Sequence, residues 1–225
     1  MKKDCQWWFG GLAIWLALAA PGCGGAYPAD YVVDDPSPPS RCFGATGHTV
    51  SGNFLRYFEE IGGVESLGYP ITEPFEHEGR QVQYFEYARL EDHPDNPGQP
   101  VVKLSMLGER LGRLQPPLSP ARVPPSSDPD NRYYPQTGHA LSGDFLVYFD
   151  EHGGLDRFGF PIAEPLAVEG KLVQDFQRAR FVWNLDRPPG ERVATEPIGR
   201  VYYEIQGLDL GRLTPVNCPP GSELR

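Results

Sequence analysis

One feature constrains the fold of this chain more than any other: most of its text is written twice. Thr46-Gly47-His48 returns as Thr137-Gly138-His139, 91 residues later. At that offset residues 42–89 align with 133–180 without gaps, and 24 of the 48 positions are identical. The shared text reads TGH..SG.FL.YF.E.GG....G.PI.EP...EG..VQ.F..AR. The register still holds at Leu107-Gly108 against Ile198-Gly199. A tandem duplication must build its body from one unit used twice. Gly 26 and Pro 25 in 225 residues exclude a helical bundle or a coiled coil, because both residues interrupt helices. The net charge of -10 and pI near 5.0 argue against nucleic acid as a partner.

Within each copy the local signals are readable. Ser51 and Ser142 precede FLRYFEEI and FLVYFDEH and are candidate N-caps. Phe54, Phe58 and Ile61 fall on one helical stripe, which Leu55 widens. Gly62-Gly63 and Gly153-Gly154 end these helices. Pro70 and Pro161 force their predecessors toward extended backbone. Glu78-Gly79 and Glu169-Gly170 mark turns, and the Val-, Tyr- and Phe-rich text after them reads as strand or hairpin. A last strand or short helix is expected near 101–111 and 192–205. The expected class is α+β: two tandem repeats, each one short helix plus a small antiparallel sheet or hairpin. A unit of about 70 residues is marginal alone, so the two should pack as one compact body.

The flanks carry an address. Lys2 and Lys3 precede an apolar run from Trp7 to Ala20, the pattern of a signal peptide over residues 1–22. The run is short for a spanning helix. Ala17-Leu18-Ala19 suits general cleavage, whereas Ala20-Pro21-Gly22-Cys23 resembles a bacterial lipobox with Ala in the usual Leu position. Cysteine parity favours the second: with Cys23 lipidated, Cys42 and Cys218 remain as one disulfide pair. Residues 23–41 read as a Pro-rich tether, 42–112 as repeat 1 and 133–218 as repeat 2. Residues 113–132, with six prolines, are a spacer or a surface strap, and 219–225 are a tail. The chain is expected outside the cytoplasm, held to the membrane by the Cys23 lipid or else secreted.

Several residues bear on chemistry. His48 and His139 repeat inside TGH, but no metal-ligand spacing accompanies them, so they read as turn-holding residues with no metal. No phosphate loop, no GxSxG and no free thiol for nucleophilic work is present. No cofactor is implied. Tyr69 and Phe160 precede the repeated prolines, and Tyr87, Trp183, Tyr202 and Tyr203 lie off the helix stripe. Aromatics that stack on sugars, with Gln83, Gln174, Glu73, Glu164, Arg89 and Arg180 bonding hydroxyls, are a candidate ligand-binding set. The competing reading gives Glu73, Glu164, Arg89 and Arg180 to the repeated fold, as ion pairs or backbone caps.

Leu67-Gly68-Tyr69-Pro70, Glu73, Gly79, Gln83, Phe85 and Ala88, repeated as Phe158-Gly159-Phe160-Pro161, Glu164, Gly170, Gln174, Phe176 and Ala179, resemble the LGFP-type repeat of bacterial envelope proteins. That resemblance covers about 25 residues of each copy. It implies an envelope location and attachment to wall polymers, and it implies no catalytic residue. The expected function is therefore a non-catalytic exported module whose partner is cell-wall glycan or, alternatively, an envelope protein. A wall-polymer hydrolase using Glu73 or Glu164 is the third reading.

Overall fold

The computed structural model describes residues 38–95, 101–216 and Cys218. The signal segment, Cys23 and nearly all of the tether lie outside the described residues, as does the tail from 219. From Pro38 onward the chain forms one compact unit.

The first repeat opens with a hairpin of β1 (Ser40–Phe43) and β2 (His48–Ser51). It continues through helix α1 (Gly52–Glu60) and the one-turn α2 (Gly63–Leu67). A four-stranded antiparallel meander follows: β3 (Phe75–His77), β4 (Arg80–Tyr84), β5 (Arg89–Asp92) and β6 (Val102–Leu104). Helix α3 (Leu107–Arg110) ends it. The second repeat has the same order. The hairpin is β7 (Asn131–Tyr134) with β8 (His139–Ser142), and the helices are α4 (Gly143–Glu151) and α5 (Gly154–Phe158). The meander is β9 (Leu166–Val168), β10 (Lys171–Asp175), β11 (Arg180–Trp183) and β12 (Val193–Thr195), and α6 (Ile198–Ile205) closes it.

The expected α+β class is overturned. The described residues hold twelve strands in four antiparallel sheets and only six short helices, so the body is mostly β. Two local features account for the difference. The text before each helix, SRCF..HTVS and NRYY..HALS, pairs as a hairpin of its own, with turns closed by Gly47 N to Phe43 O at 2.7 Å and Gly138 N to Tyr134 O at 2.8 Å. The aromatic-rich run after each Glu-Gly turn breaks at residues 85–88 and 176–179 into two strands, closed by Phe85 N to Ala88 O and Phe176 N to Ala179 O. The helices start without the expected caps: neither Ser51 nor Ser142 donates or accepts a side-chain capping bond. They stop at Gly62 and Gly153, whose φ values of 105° and 103° suit glycine alone.

Each repeat has its own core. Val50, Phe54, Leu55, Phe58, Leu67, Phe85 and Leu90 pack together in the first. Leu141, Phe145, Leu146, Phe149, Phe158, Phe176 and Phe181 do so in the second. A third cluster joins the halves: Ile71, Phe75, Val82 and Tyr84 of the first sheet pack with Leu107, Ile198, Tyr202 and Tyr203. Tyr202 and Tyr203 are thus buried seam residues, unavailable to a ligand.

The repeats are locked by exchanged arms. After β6 the chain crosses to the second repeat, where Gly108 N donates to Gln177 O at 2.9 Å and Gln115 N to Ile162 O at 2.9 Å. Pro117 then packs on Gly138, and Leu118 N donates to Gly138 O. After β12 the chain crosses the other way. Gly199 N and Arg200 N both donate to Glu86 O, Pro215 packs on Gly47, and Cys218 closes a disulfide with Cys42. The arms share text too, LGRLQPPLSP at 111–120 and LGRLTPVNCP at 210–219, displaced by eight residues inserted after the last helix begins. The Pro-rich segment from 113 is therefore a strap on the second repeat, at least through Leu118.

Candidate functional site

Most of the repeated polar residues are used inside the fold. Glu73 accepts from Thr49 N at 2.9 Å and faces His48 Nδ1 at 3.5 Å. Glu164 accepts from Ala140 N at 3.0 Å and meets His139 Nδ1 at 3.1 Å. Gln83 Nε2 donates to Thr49 O and Thr72 O, and Gln174 Nε2 donates to Ala140 O and Ala163 O. Glu73 and Gln83 thus meet on one residue, Thr49, and their counterparts meet on Ala140. Each set clasps the hairpin to the sheet. His48 and His139 are buried in these clasps, and the His139 Nε2 lies 3.2 Å from Gln115 O of the strap.

Arg89 and Arg180 lie elsewhere, in ion networks at the roots of the arms. Arg89 is 1% exposed and donates to Glu91, Glu78 and Ser105. Arg110 of α3 joins through Glu78 and reaches the Tyr202 hydroxyl of α6. Burial pushes the Glu91 pKa up, but Ser105, Arg89, Arg110 and His93 outweigh it and hold the carboxyl below its usual range. In the second repeat Arg180 pairs with both oxygens of Asp175 at 2.8 and 2.9 Å, and Arg113 reaches Asp175 and Glu196. Arg89 and Glu73 do not pair with each other, nor do Arg180 and Glu164.

Tyr69 and Phe160 are half-buried at the edges of their cores. The Tyr69 ring packs edge-on against Phe43 at 6.2 Å, and Phe160 against Tyr134 at 5.7 Å. Their amides donate to Glu86 Oε2 and Gln177 Oε1, side chains of the turns on which the arms dock. The eight nominated residues therefore fall into three separate places in each repeat.

A pair of equivalent open grooves lies between each long helix and the last strand of its sheet. The first groove, about 200 Å³, is lined by Asn53, Arg56, Tyr57 and Glu60 of α1 with Val101 and Val102. The second, about 250 Å³, is lined by Asp144, Val147, Tyr148 and Glu151 of α4 with Gly190, Arg192 and Val193. Apart from Gly190, every lining residue of one groove is the 91-residue counterpart of a lining residue in the other. Tyr57 and Tyr148 are half-buried in the walls. In the second groove Trp183 Nε1 donates to Asp144 Oδ2 at 2.8 Å, and the Arg192 guanidinium lies 5.5 Å over the Trp183 ring. The Tyr148 hydroxyl bonds Thr195 Oγ1, and the His152 ring stacks on Tyr148 at 3.9 Å. The repeated Tyr and Glu in FL.YF.E were legible in the sequence. Their neighbours across the groove were not, because 101 and 192 differ in type and only the folded sheet brings them to the helix.

A further cleft of about 390 Å³ separates the ends of α1 and α4, with Glu60, Glu65, Glu151 and Asp156 around it. Arg157 crosses it to donate to Glu65 O. No group of three or more potential metal ligands occurs among the described residues. Compared with known proteins, the chain matches no family model and no curated protein.

Proposed function

We propose that this chain is an exported, non-catalytic module that binds cell-wall glycan twice over, tethered to a membrane by lipid at Cys23. The observation that carries the reading is the paired groove: one duplication has put the same tyrosine and glutamate into two equivalent concave surfaces on one body. Chemistry would need different groups converging on one reacting atom. Here Glu73 and Glu164, the carboxylates a hydrolase would use, each accept from a main-chain amide, and Glu164 also meets His139. Export is supported by the charged-then-apolar N-terminus and by the Cys42–Cys218 disulfide, a bond that persists in oxidising compartments. No helix among the described residues is long and apolar enough to cross a membrane. The LGFP-like text of both copies points to the same location.

Co-sedimentation of the purified protein with protease-treated cell-wall sacculi tests the reading. Recovery in the pellet is expected. A folded protein that stays in the supernatant overturns glycan binding and transfers the weight to a protein partner.

A further inference from the structure

We infer that the two helix–strand grooves are the glycan sites, each taking one uncharged sugar unit, so that the chain is bivalent. The inference rests on the glycan reading above and adds its residues and ligand class. Three observations carry it.

The first is a compensated exchange. Position 56 is Arg and its counterpart 147 is Val, whereas position 101 is Val and its counterpart 192 is Arg. The guanidinium has changed walls, from helix to strand, while each groove still holds one Arg, one exchanged Val, one Tyr and one Glu. The linings differ in charge at one further pair, Asn53 against Asp144, and Asp144 is taken up by Trp183 Nε1.

The second is that these charges are not spent on each other. Arg56 and Glu60 sit one turn apart on α1, a spacing that commonly pairs, yet they form no ion pair. Neither do Arg192 and Glu151. Arg56, Glu60 and Glu151 keep their hydrogen-bonding capacity at the grooves, and Arg192, whose Nε donates to Arg187 O and whose guanidinium lies over Trp183, keeps its terminal nitrogens.

The third is the match of chemistry. A guanidinium only donates and a carboxylate only accepts, and a sugar hydroxyl does both. An ionic ligand would set one of the two groups against a like charge. In the first groove the Tyr57 wall suits the C–H face of a pyranose ring, whereas in the second His152 already stacks on Tyr148, so the ring there meets the Tyr148 edge and the polar groups. Both volumes fall below those of drug-sized sites, which fits a single ring. The net charge of -10 also disfavours polyanionic polymers.

The test uses the whole protein and sacculi, with Arg56→Ala, Arg192→Ala and the double variant. Arg56 is exposed and Arg192 half-buried, and near-UV circular dichroism with closure of the disulfide verifies the fold. Each single variant should lower affinity about 100-fold, because losing one of two sites removes avidity, and the double variant should not sediment. Binding should persist from low to 0.5 M salt and be competed by a neutral N-acetylglucosamine trimer. Wild-type sedimentation that the double variant retains overturns the groove assignment and leaves the glycan reading standing. Loss of binding in salt, or no competition by the trimer, overturns the uncharged-sugar class. Failure of the wild type to sediment overturns both readings together.

Discussion

Replacing Gly108 with alanine sets two physical effects against each other, and their signs differ. Gly108 lies in α3 with no need for a left-handed backbone, so intrinsic helix propensity predicts a gain of about 1 kcal/mol. The docking of the arm predicts the reverse. A Cβ at this position would lie 1.9 Å from the Phe176 carbonyl oxygen and 3.1 Å from its carbon. Comfortable contacts between carbon atoms lie at about 3.5–4.0 Å, so α3 must withdraw by more than an ångström. The neighbouring carbonyl offers no relief, because Gly108 N already donates to Gln177 O in the same turn. Withdrawal weakens that bond, worth about 1 kcal/mol. It also strains the buried Leu107 next to it, and overpacking of this kind costs about 1–3 kcal/mol. The net loss should be about 2 kcal/mol, seen as a Tm lower by about 4–8 °C for a body of this size. Gly199→Ala should behave alike, since its Cβ would lie 2.1 Å from Phe85 O and 2.7 Å from Ala88 N. The two positions dock on separate turns, so their losses should add. Thermal melts with the disulfide kept closed decide the matter. A Tm that is unchanged or higher in either variant refutes the exchanged-arm account of how the halves are held.

Cys42→Ser with Cys218→Ser should destabilise by up to about 5 kcal/mol on the chain-entropy estimate, because the bond spans 176 residues of sequence; urea titration of the oxidised and reduced protein measures it. Gln83→Ala leaves the carbonyls of Thr49 and Thr72 without their amide donor and should cost about 2–4 kcal/mol. Sacculus affinity of that variant, measured below its melting range, should not change. Stability should also fall on acidification. The Glu91 carboxyl has its folded pKa depressed, so its contribution is complete above the ordinary glutamate range and is lost as pH drops through the lower, folded value. Glu91→Gln should flatten the acid limb of a Tm-against-pH curve, and an unaltered limb would show that other carboxylates set it.

Much of this body was legible in its text, and the failures have identifiable causes. The 91-residue register located both helices, their glycine stops and the turns at Glu78-Gly79 and Glu169-Gly170, because those depend on neighbours in sequence. It also marked Gln83 and Glu73 as paired features without saying that both would close on Thr49, 34 and 24 residues away. The opening hairpins went unread because SRCF and HTVS are short and polar on one side, and the Thr-Gly-His turn looked like a lead-in to the helix. The arms were hidden by the eight inserted residues that shift LGRLTP out of register with LGRLQP. Gly108 and Gly199 stood in the repeat, but their reason is the approach of another chain segment, which local text does not contain. Tyr202 and Tyr203 read as available aromatics for the same reason: what covers them, Phe75 and Tyr84, belongs to the other copy.

The bond between Cys42 and Cys218 brings their Cα atoms to 5.6 Å. With the first arm already joining repeat 1 to repeat 2, the covalent path becomes a ring of two nearly equivalent halves, and the order in which the halves are written ceases to matter. Joining the backbone across the position of the disulfide and opening it between 121 and 130, where the chain runs mostly exposed, would give a circular permutant with the second copy first. Both cores, both exchanged arms and both grooves would be retained.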